Sequence, residues 1–175
     1  MTFLVSDGNF YLRAMRILFF FIFSVFFFAS ISSCKKENVY PIEPVIEMSD
    51  RQQYQSPSMM IVSFTDGDGD VGFAEGDTLY PYNYTGENGN KYYYNLLLYY
   101  FEKIDDEWVP VELAINYFYR VPYLTPTGQN KSLKGEIEVA ISLPANRPDS
   151  IRFEIELIDR ALNESNMLTS GVIYK

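Results

Sequence analysis

The sequence predicts an all-β fold, an antiparallel β-sandwich that follows an N-terminal export signal and a tether. Three observations support this prediction. Several short segments alternate apolar and polar residues, which is typical of strands with one buried and one exposed face. Turn-rich stretches separate these segments, and no long window after the N-terminal apolar run has a helical period. The chain has 175 residues, about the size of one domain, so we expect a single core.

The predicted strands are spread along the chain from residue 45 to residue 174. Met59 to Phe64 opens the domain, which we place at residues 58–175, and a short edge strand, Val45 to Met48, is the most that we expect before it. Tyr92 to Phe101 is apolar on both faces except at Asn95, as expected of a central strand covered by two layers. The remaining strands are Val109 to Leu113, with Pro110 at an edge or bulge, then Gly135 to Leu143, Ile151 to Leu157 and Gly171 to Tyr174.

Composition excludes several classes of function. Lys and Arg number 14 against 23 Asp and Glu, and the net charge of -9 argues against a nucleic-acid partner. There is no His, and Cys34 is the only Cys, so the usual general base, the usual zinc ligands and an intrachain disulfide are all missing. No motif singles out a catalytic carboxylate pair. We therefore expect a protein that is not an enzyme, with a glycosidase-type enzyme as the least favoured alternative.

The N-terminus is laid out as an export signal over residues 1–33. An apolar run from Ile17 to Ile31 follows Arg13 and Arg16 and precedes small residues, which gives a basic region, an apolar region and a cleavage site. A transmembrane helix is the alternative, but the run is shorter than the ~18 to 20 residues needed to span a bilayer. Because Met15 immediately precedes Arg16, residues 1–14 are interpreted as a start-site artefact.

The residues around the cysteine carry a family resemblance. The segment Ile31-Ser32-Ser33-Cys34 resembles the lipobox of bacterial lipoproteins, in which the Cys is acylated, with palmitate among the acyl groups, and becomes the new N-terminus. The resemblance implies a membrane partner through an N-terminal lipid on Cys34. Lys35 stands where an Asp would hold such a protein at the inner membrane, so the outer membrane of a Gram-negative bacterium is implied. Residues 34–57, which include three prolines, are then a lipidated N-terminus and tether.

An acidic, glycine-rich stretch is the most informative motif. Asp66, Asp68 and Asp70 are spaced by two and separated by glycines, which let the chain curl until the carboxylates converge. No basic residue lies between Arg51 and Lys91 to balance them. Oxygen ligands without His or Cys select calcium or magnesium, and flexible loops with several carboxylates favour calcium. We therefore predict a Ca2+ site formed by Asp66, Asp68, Asp70, Glu75 and Asp77.

The spacing of this loop resembles that of an EF-hand or dockerin loop. It departs from that pattern at Val71, where the EF-hand has Gly, and at Asp77, where the EF-hand has Glu, and no flanking helices are evident. We therefore predict a D-x-D-x-D calcium loop in a β-context. The alternative is a glycine-rich turn whose Asp side chains face water.

The C-terminal part carries a second resemblance. The stretch I-E-L-I-D-R-A-L-N-E-S-N resembles the final hairpin of bacterial immunoglobulin-like domains, where D-x-A-x-N-x-S recurs, and it implies an immunoglobulin-like topology. In that topology the loops after Met59 to Phe64 and after Ile151 to Leu157 lie at the same end. Asp159 and Asn163 could then approach the acidic loop, although both residues also suit a simple turn. The whole chain resembles outer-membrane lipoproteins with a D-G-D-G-D-x-G segment ahead of a β-sandwich, which implies a location and a fold but no role.

Tyrosine is concentrated between residues 80 and 123. Its apolar ring and polar tip suit binding surfaces, including those on which sugars stack, whereas the alternative is that these rings are buried strand residues. The sequence thus predicts a lipid-anchored envelope protein with a binding or structural role, whose partner is an envelope protein or a glycan. A carbohydrate-binding surface lipoprotein is the alternative, and its candidate ligand-binding residues are Trp108, Tyr92, Tyr94, Tyr117 and Tyr119.

Overall fold

The structure is a computed structural model of the chain, and it describes residues 15, 16, 18, 19, 39–51, 58–86, 89–124, 126 and 131–175. It divides into two compact units, Met1–Asn38 and Val39–Lys175. The described residues of the first unit are exposed and helical. Among the residues described, none belongs to a helix with the length and apolar character needed to cross a bilayer. Cys34, the lipobox and most of the predicted signal peptide lie outside the described residues.

The regular secondary structure of the second unit is β-strand, apart from one 3₁₀ turn at Lys91–Tyr93 among the described residues. In chain order the strands are β1 (Val45–Met48), β2 (Ser58–Asp66), β3 (Leu96–Ile104), β4 (Glu107–Pro110), β5 (Tyr117–Tyr119), β6 (Leu133–Ile141), β7 (Ser150–Leu157), β8 (Leu168–Thr169) and β9 (Ile173–Tyr174).

The strands form two sheets, and every pair of named strands is antiparallel. The first sheet has the order β1-β2-β6. The second has β4, β3 and β7 side by side, with β5 also pairing with β3, and with β8 and β9 pairing with different parts of β7. The predicted antiparallel β-sandwich is therefore confirmed. The chain alternates between the sheets as in immunoglobulin-like domains, where strands B and E share one sheet and strands C and F share the other.

A single core fills the space between the two sheets. The side chains of Ile151, Phe153, Ile155 and Leu157 on β7 are completely buried, as their period-two pattern predicts. Burial of each such side chain stabilises the fold by roughly 1.5–3 kcal/mol relative to an exposed position. They pack with residues from the inner faces of the other main strands, namely Ile46, Met60, Val62, Phe64, Leu96, Leu98, Tyr100, Val139 and Ile141.

The predicted strand at Tyr92 to Phe101 starts later in the structure, at Leu96. The Asn90 side chain accepts a hydrogen bond from the Tyr92 N–H at 3.1 Å, and this cap starts the 3₁₀ turn. Asn95 is completely buried, and its side chain bonds to the backbone of Val121 in both directions, at 2.6 and 3.2 Å. The one polar residue of this apolar stretch therefore fastens the start of β3 to a neighbouring segment.

Two further differences concern the shorter strands of the second sheet. The predicted strand Val109 to Leu113 is displaced, because β4 begins at Glu107 and ends at Pro110. One further backbone bond to β3 follows it, from the Val111 N–H to the Tyr100 carbonyl at 3.0 Å. Val111 and Leu113 pack against the core from the loop that follows. The short strands β5 and β8 were not predicted, since two or three residues carry no readable alternation.

The N-terminal edge strand β1 has the predicted bounds and pairs with β2. On its other side the Asn166 side chain takes the place of a neighbouring strand. The Ile46 N–H donates to Asn166 Oδ1 at 2.9 Å, and Asn166 Nδ2 donates to the Ile46 carbonyl at 3.0 Å. Since the compact unit begins at Val39, residues 39–51 belong to the folded part, ahead of the domain boundary predicted at residue 58.

Candidate metal centre

The candidate centre lies where the loop after β2 meets the segment after β7. Asp66 is the last residue of β2, and Asp159 follows β7 closely. A β-bridge between Val71 and Asp159 joins the two segments, and the Arg160 N–H donates to the Asp70 carbonyl at 3.2 Å. These contacts place the acidic loop beside Asp159.

Glycines allow the acidic loop to pack closely against other parts of the chain. Gly69 has a φ of +73° and Gly72 a φ of +98°, in the left-handed region that favours glycine. A Cβ at Gly69 would overlap the Lys131 carbonyl, and a Cβ at Gly72 would overlap the Pro122 carbonyl. The loop is thus fixed between backbone segments, which distinguishes it from a turn that only faces water.

Four aspartates converge at this place. One carboxylate oxygen from each of Asp66, Asp68, Asp70 and Asp159 lies within 4.8 Å of the others. Asp66 and Asp159 are completely buried, Asp70 is half-buried and Asp68 is exposed. The group therefore has one side within the protein and one side open to solvent.

Hydrogen bonds orient the buried carboxylates but do not satisfy all of their oxygens. Asp66 Oδ2 accepts from the Asp70 N–H at 2.9 Å. Asp159 accepts from the backbone N–H and the side-chain amide of Asn163, at 2.7 and 2.8 Å. Asp66 Oδ1 and Asp70 Oδ1 are buried and have no hydrogen-bond partner among the described residues. Leaving such an acceptor unpaired is costly, so these two oxygens suit a cation.

The electrostatics of the group also favour a cation. Burial raises the pKa of Asp66 to about 6, and repulsion from Asp68, Asp70 and Asp159 adds to the shift. Burial and the charges of Asp159 and Asp68 raise the pKa of Asp70 to about 6. The pKa of Asp159 is also raised by burial, against the hydrogen bonds from Asn163. These carboxyl groups resist ionisation together, and a bound cation would remove that resistance.

Asp77 and Glu75, two of the five ligands predicted from the sequence, are not members of the group. The Asp77 carboxylate pairs with Arg160 Nη2 at 2.8 Å and accepts from the Ala74 N–H at 2.8 Å. Glu75 is exposed. In the described part of the chain no Lys or Arg pairs with any of the four converging aspartates. The structure thus brings together Asp66, Asp68 and Asp70 and adds Asp159 to the group. Asp77 instead pairs with Arg160.

The five aromatic residues predicted to bind a ligand do not share one surface. The Arg152 guanidinium lies over Trp108, with its central carbon 4.8 Å from the centroid of the Trp108 ring. Tyr117 and Tyr119 pack against the core, and the Tyr117 hydroxyl donates to the Ser142 carbonyl at 2.6 Å. The other two lie elsewhere: Tyr92 is in the 3₁₀ turn, and Tyr94 contacts Tyr93 and Phe118 edge to face.

Comparison of the chain with protein-family models, with curated proteins and with solved structures finds no match.

Proposed function

We propose that the four aspartates bind one Ca2+ ion, and that this ion stabilises a lipid-anchored β-sandwich with a binding or structural role in the cell envelope. The observation that carries the proposal is the convergence of four carboxylates, two of which keep a buried oxygen without a partner among the described residues.

The oxygen positions fit calcium. Two oxygens that both lie ~2.3–2.6 Å from one ion are at most ~5 Å apart, and the four aspartate oxygens lie within 4.8 Å of one another. Asp68 is on the open side, where water can complete the six to eight oxygen ligands that calcium takes. The absence of His from the sequence and the all-oxygen donor set disfavour zinc and copper. Magnesium needs a smaller, near-octahedral site and is the weaker candidate.

The position of the centre favours a structural role for the ion. Asp66 ends a strand of the first sheet, and Asp159 follows a strand of the second. An ion bound by both would connect the two sheets at one end of the sandwich and neutralise part of the charge gathered there. The chain has no His to act as a base beside the ion. A binding or structural protein is therefore a better proposal than an enzyme.

The location rests on the sequence. The resemblance of residues 31–34 to a lipobox supports acylation of Cys34, and Lys35 supports the outer membrane as the destination. The acidic composition, with a net charge of -9, argues against a nucleic-acid partner. The proposed location favours an envelope protein or a glycan instead.

Thermal unfolding with calcium or with a chelator tests the proposed ion. At about 100 times its dissociation constant calcium should add roughly 2.7 kcal/mol to the free energy of unfolding, a rise of several degrees in melting temperature. Asp68→Ala should abolish the rise, because it removes a ligand from the exposed side of the group and leaves the core intact. Asp149→Ala, at an exposed site outside the loop, is the matched control and should keep the rise. Magnesium should give a smaller shift, and identical curves with calcium and chelator would refute the proposal.

A further inference from the structure

A concave site separate from the metal centre lies on the outer face of the second sheet, which faces away from the core. It is a cleft of about 370 Å³ between the 3₁₀ turn, β3 and β5, and its lining includes Tyr84, Tyr93, Tyr94, Tyr99 and Phe118. This volume falls within the ~300–1,000 Å³ that is usual for small-molecule sites. Only Tyr94 belongs to the aromatic set predicted from the sequence.

The aromatic rings of the cleft form a connected wall. Successive ring centroids are 5.0 Å apart for Tyr84 and Tyr93, 4.8 Å for Tyr93 and Tyr94, and 5.8 Å for Tyr94 and Phe118, with interplanar angles of 60° to 82°. Tyr99 contacts Phe118 in the same edge-to-face way. Each ring is held by its neighbour, so the wall is fixed before a ligand arrives and little entropy is lost on binding.

A polar end adjoins this wall. The Lys91 ammonium pairs with Glu156 at 3.2 Å and with Glu164 at 2.7 Å, and the Tyr99 hydroxyl donates to Glu156 at 3.2 Å. Lys91 is therefore already neutralised by carboxylates of the protein. Asn116 lies at the rim of the cleft, is exposed, and forms no hydrogen bond within the part of the chain that the structure describes.

This combination selects the class of ligand. A phosphate or carboxylate would need a cation, and the only cation in the described lining is paired with two glutamates. An organic cation would suit the aromatic rings, but both glutamates that could attract it already pair with Lys91. A sugar ring presents apolar C–H faces to aromatic rings and hydroxyl groups to polar side chains, with no net charge. We propose that this cleft binds a neutral saccharide, a function that goes beyond the metal centre and uses none of its residues.

Titration calorimetry of the full chain tests this proposal. The protein is held in a polyoxyethylene detergent, which carries no sugar, and is titrated with maltotriose, cellotriose, mannotriose and triacetylchitotriose. We expect at least one of these to bind with one-to-one stoichiometry. Tyr84→Ala should weaken binding about tenfold, because Tyr84 is 55% exposed and contributes a ring to the wall. Tyr84→Phe should bind within about threefold of wild type, since the ring remains.

Two further variants and one competing ligand complete the test. Asn116→Ala should weaken binding severalfold through the loss of a polar contact at the rim. Tyr174→Ala, at an exposed tyrosine outside the cleft, should bind as wild type does. The proposal is overturned if none of the four saccharides binds, if Tyr84→Ala binds as tightly as wild type, or if choline chloride binds in the cleft in place of the sugars.

Discussion

Asp66 ends a strand of the first sheet and Asp159 follows a strand of the second, and both are completely buried, yet carboxylate oxygens of the two lie within 4.8 Å of each other. Two like charges at this distance and at this depth destabilise the fold unless a cation lies between them. A divalent ion bound by both would cross-link the two sheets. This relationship determines how the protein should respond to pH and to substitution.

Without metal, the carboxylate group should make the protein less stable as the pH rises from about 4 to about 6. The pKa of Asp66 is raised from its ordinary value of 3.8 to about 6 in the folded state. The folded state therefore holds more protons across this window, and the free energy of unfolding falls as they dissociate. The difference between wild type and Asp66→Asn, measured by chemical denaturation with chelator, isolates this contribution from other groups. If this difference does not vary with pH, the prediction is wrong. At neutral pH, saturating calcium should remove the destabilisation that the ionised carboxylates cause.

Asp77 should matter for stability but not for the ion. Asp77→Asn removes the charge that pairs with Arg160 and keeps an acceptor for the Ala74 N–H, so we expect a loss of about 1 kcal/mol. The calcium-dependent rise in melting temperature should remain intact, as it should in Glu75→Gln. If Asp77→Asn loses the calcium response, Asp77 would instead be a calcium ligand, as the EF-hand-like spacing predicts.

Gly69 should tolerate no side chain. Gly69→Ala places a Cβ against the Lys131 carbonyl at a residue with φ of +73°, which should cost at least about 2 kcal/mol and weaken calcium binding by displacing Asp68 and Asp70. Gly76→Ala is the matched control, because its Cβ would have nothing within 4 Å. Its effect should be within about 0.5 kcal/mol. Denaturation of the two variants side by side measures both costs, and equal costs would show that the loop is not held as described.

Much of the sandwich could be predicted from the alternation of residues, and the reason is physical. Strands β6 and β7 each bury one face, so their sequences report that face directly, whereas β2 buries both Ile61 and Val62 and is recognisable only as an apolar run. The start of β3 could not be predicted in this way. Tyr92, Tyr93 and Tyr94 have strong strand propensity, but the Asn90 cap and the Asn95 bonds to Val121 set the local backbone. The bonds to Val121 join segments that are distant in sequence.

The candidate metal centre also combines residues that could be predicted from local sequence with residues that could not. Asp66, Asp68 and Asp70 are local in sequence, and their spacing alone indicated that they converge. Asp159 could be brought near them only through the topology of the sheets. The pairing of Asp77 with Arg160 could not be foreseen, because the stretch around Asp77 lacks basic residues and its cation comes from the segment after β7.

Cys34 should anchor the protein to the membrane. The lipobox-like residues 31–34 predict that Cys34→Ala releases the protein or stalls its processing, whereas Ser32→Ala should leave the lipid in place. A multiply acylated N-terminus holds firmly, so wild type should enter the detergent phase of a phase separation and Cys34→Ala the aqueous phase. Equal partitioning of the two proteins would show that no lipid is attached there.

The contact between Asn166 and Ile46 affects how the domain would carry mechanical load. Force applied at the N-terminal side of this unit reaches β1 first. An edge strand paired on one side only can be peeled from its sheet, but β1 is held by β2 on one side and by the Asn166 amide on the other. Asn166 lies just before β8, which belongs to the second sheet. Tension that enters through β1 is therefore shared by both sheets from the start, and Asn166→Ala should lower the force at which β1 detaches.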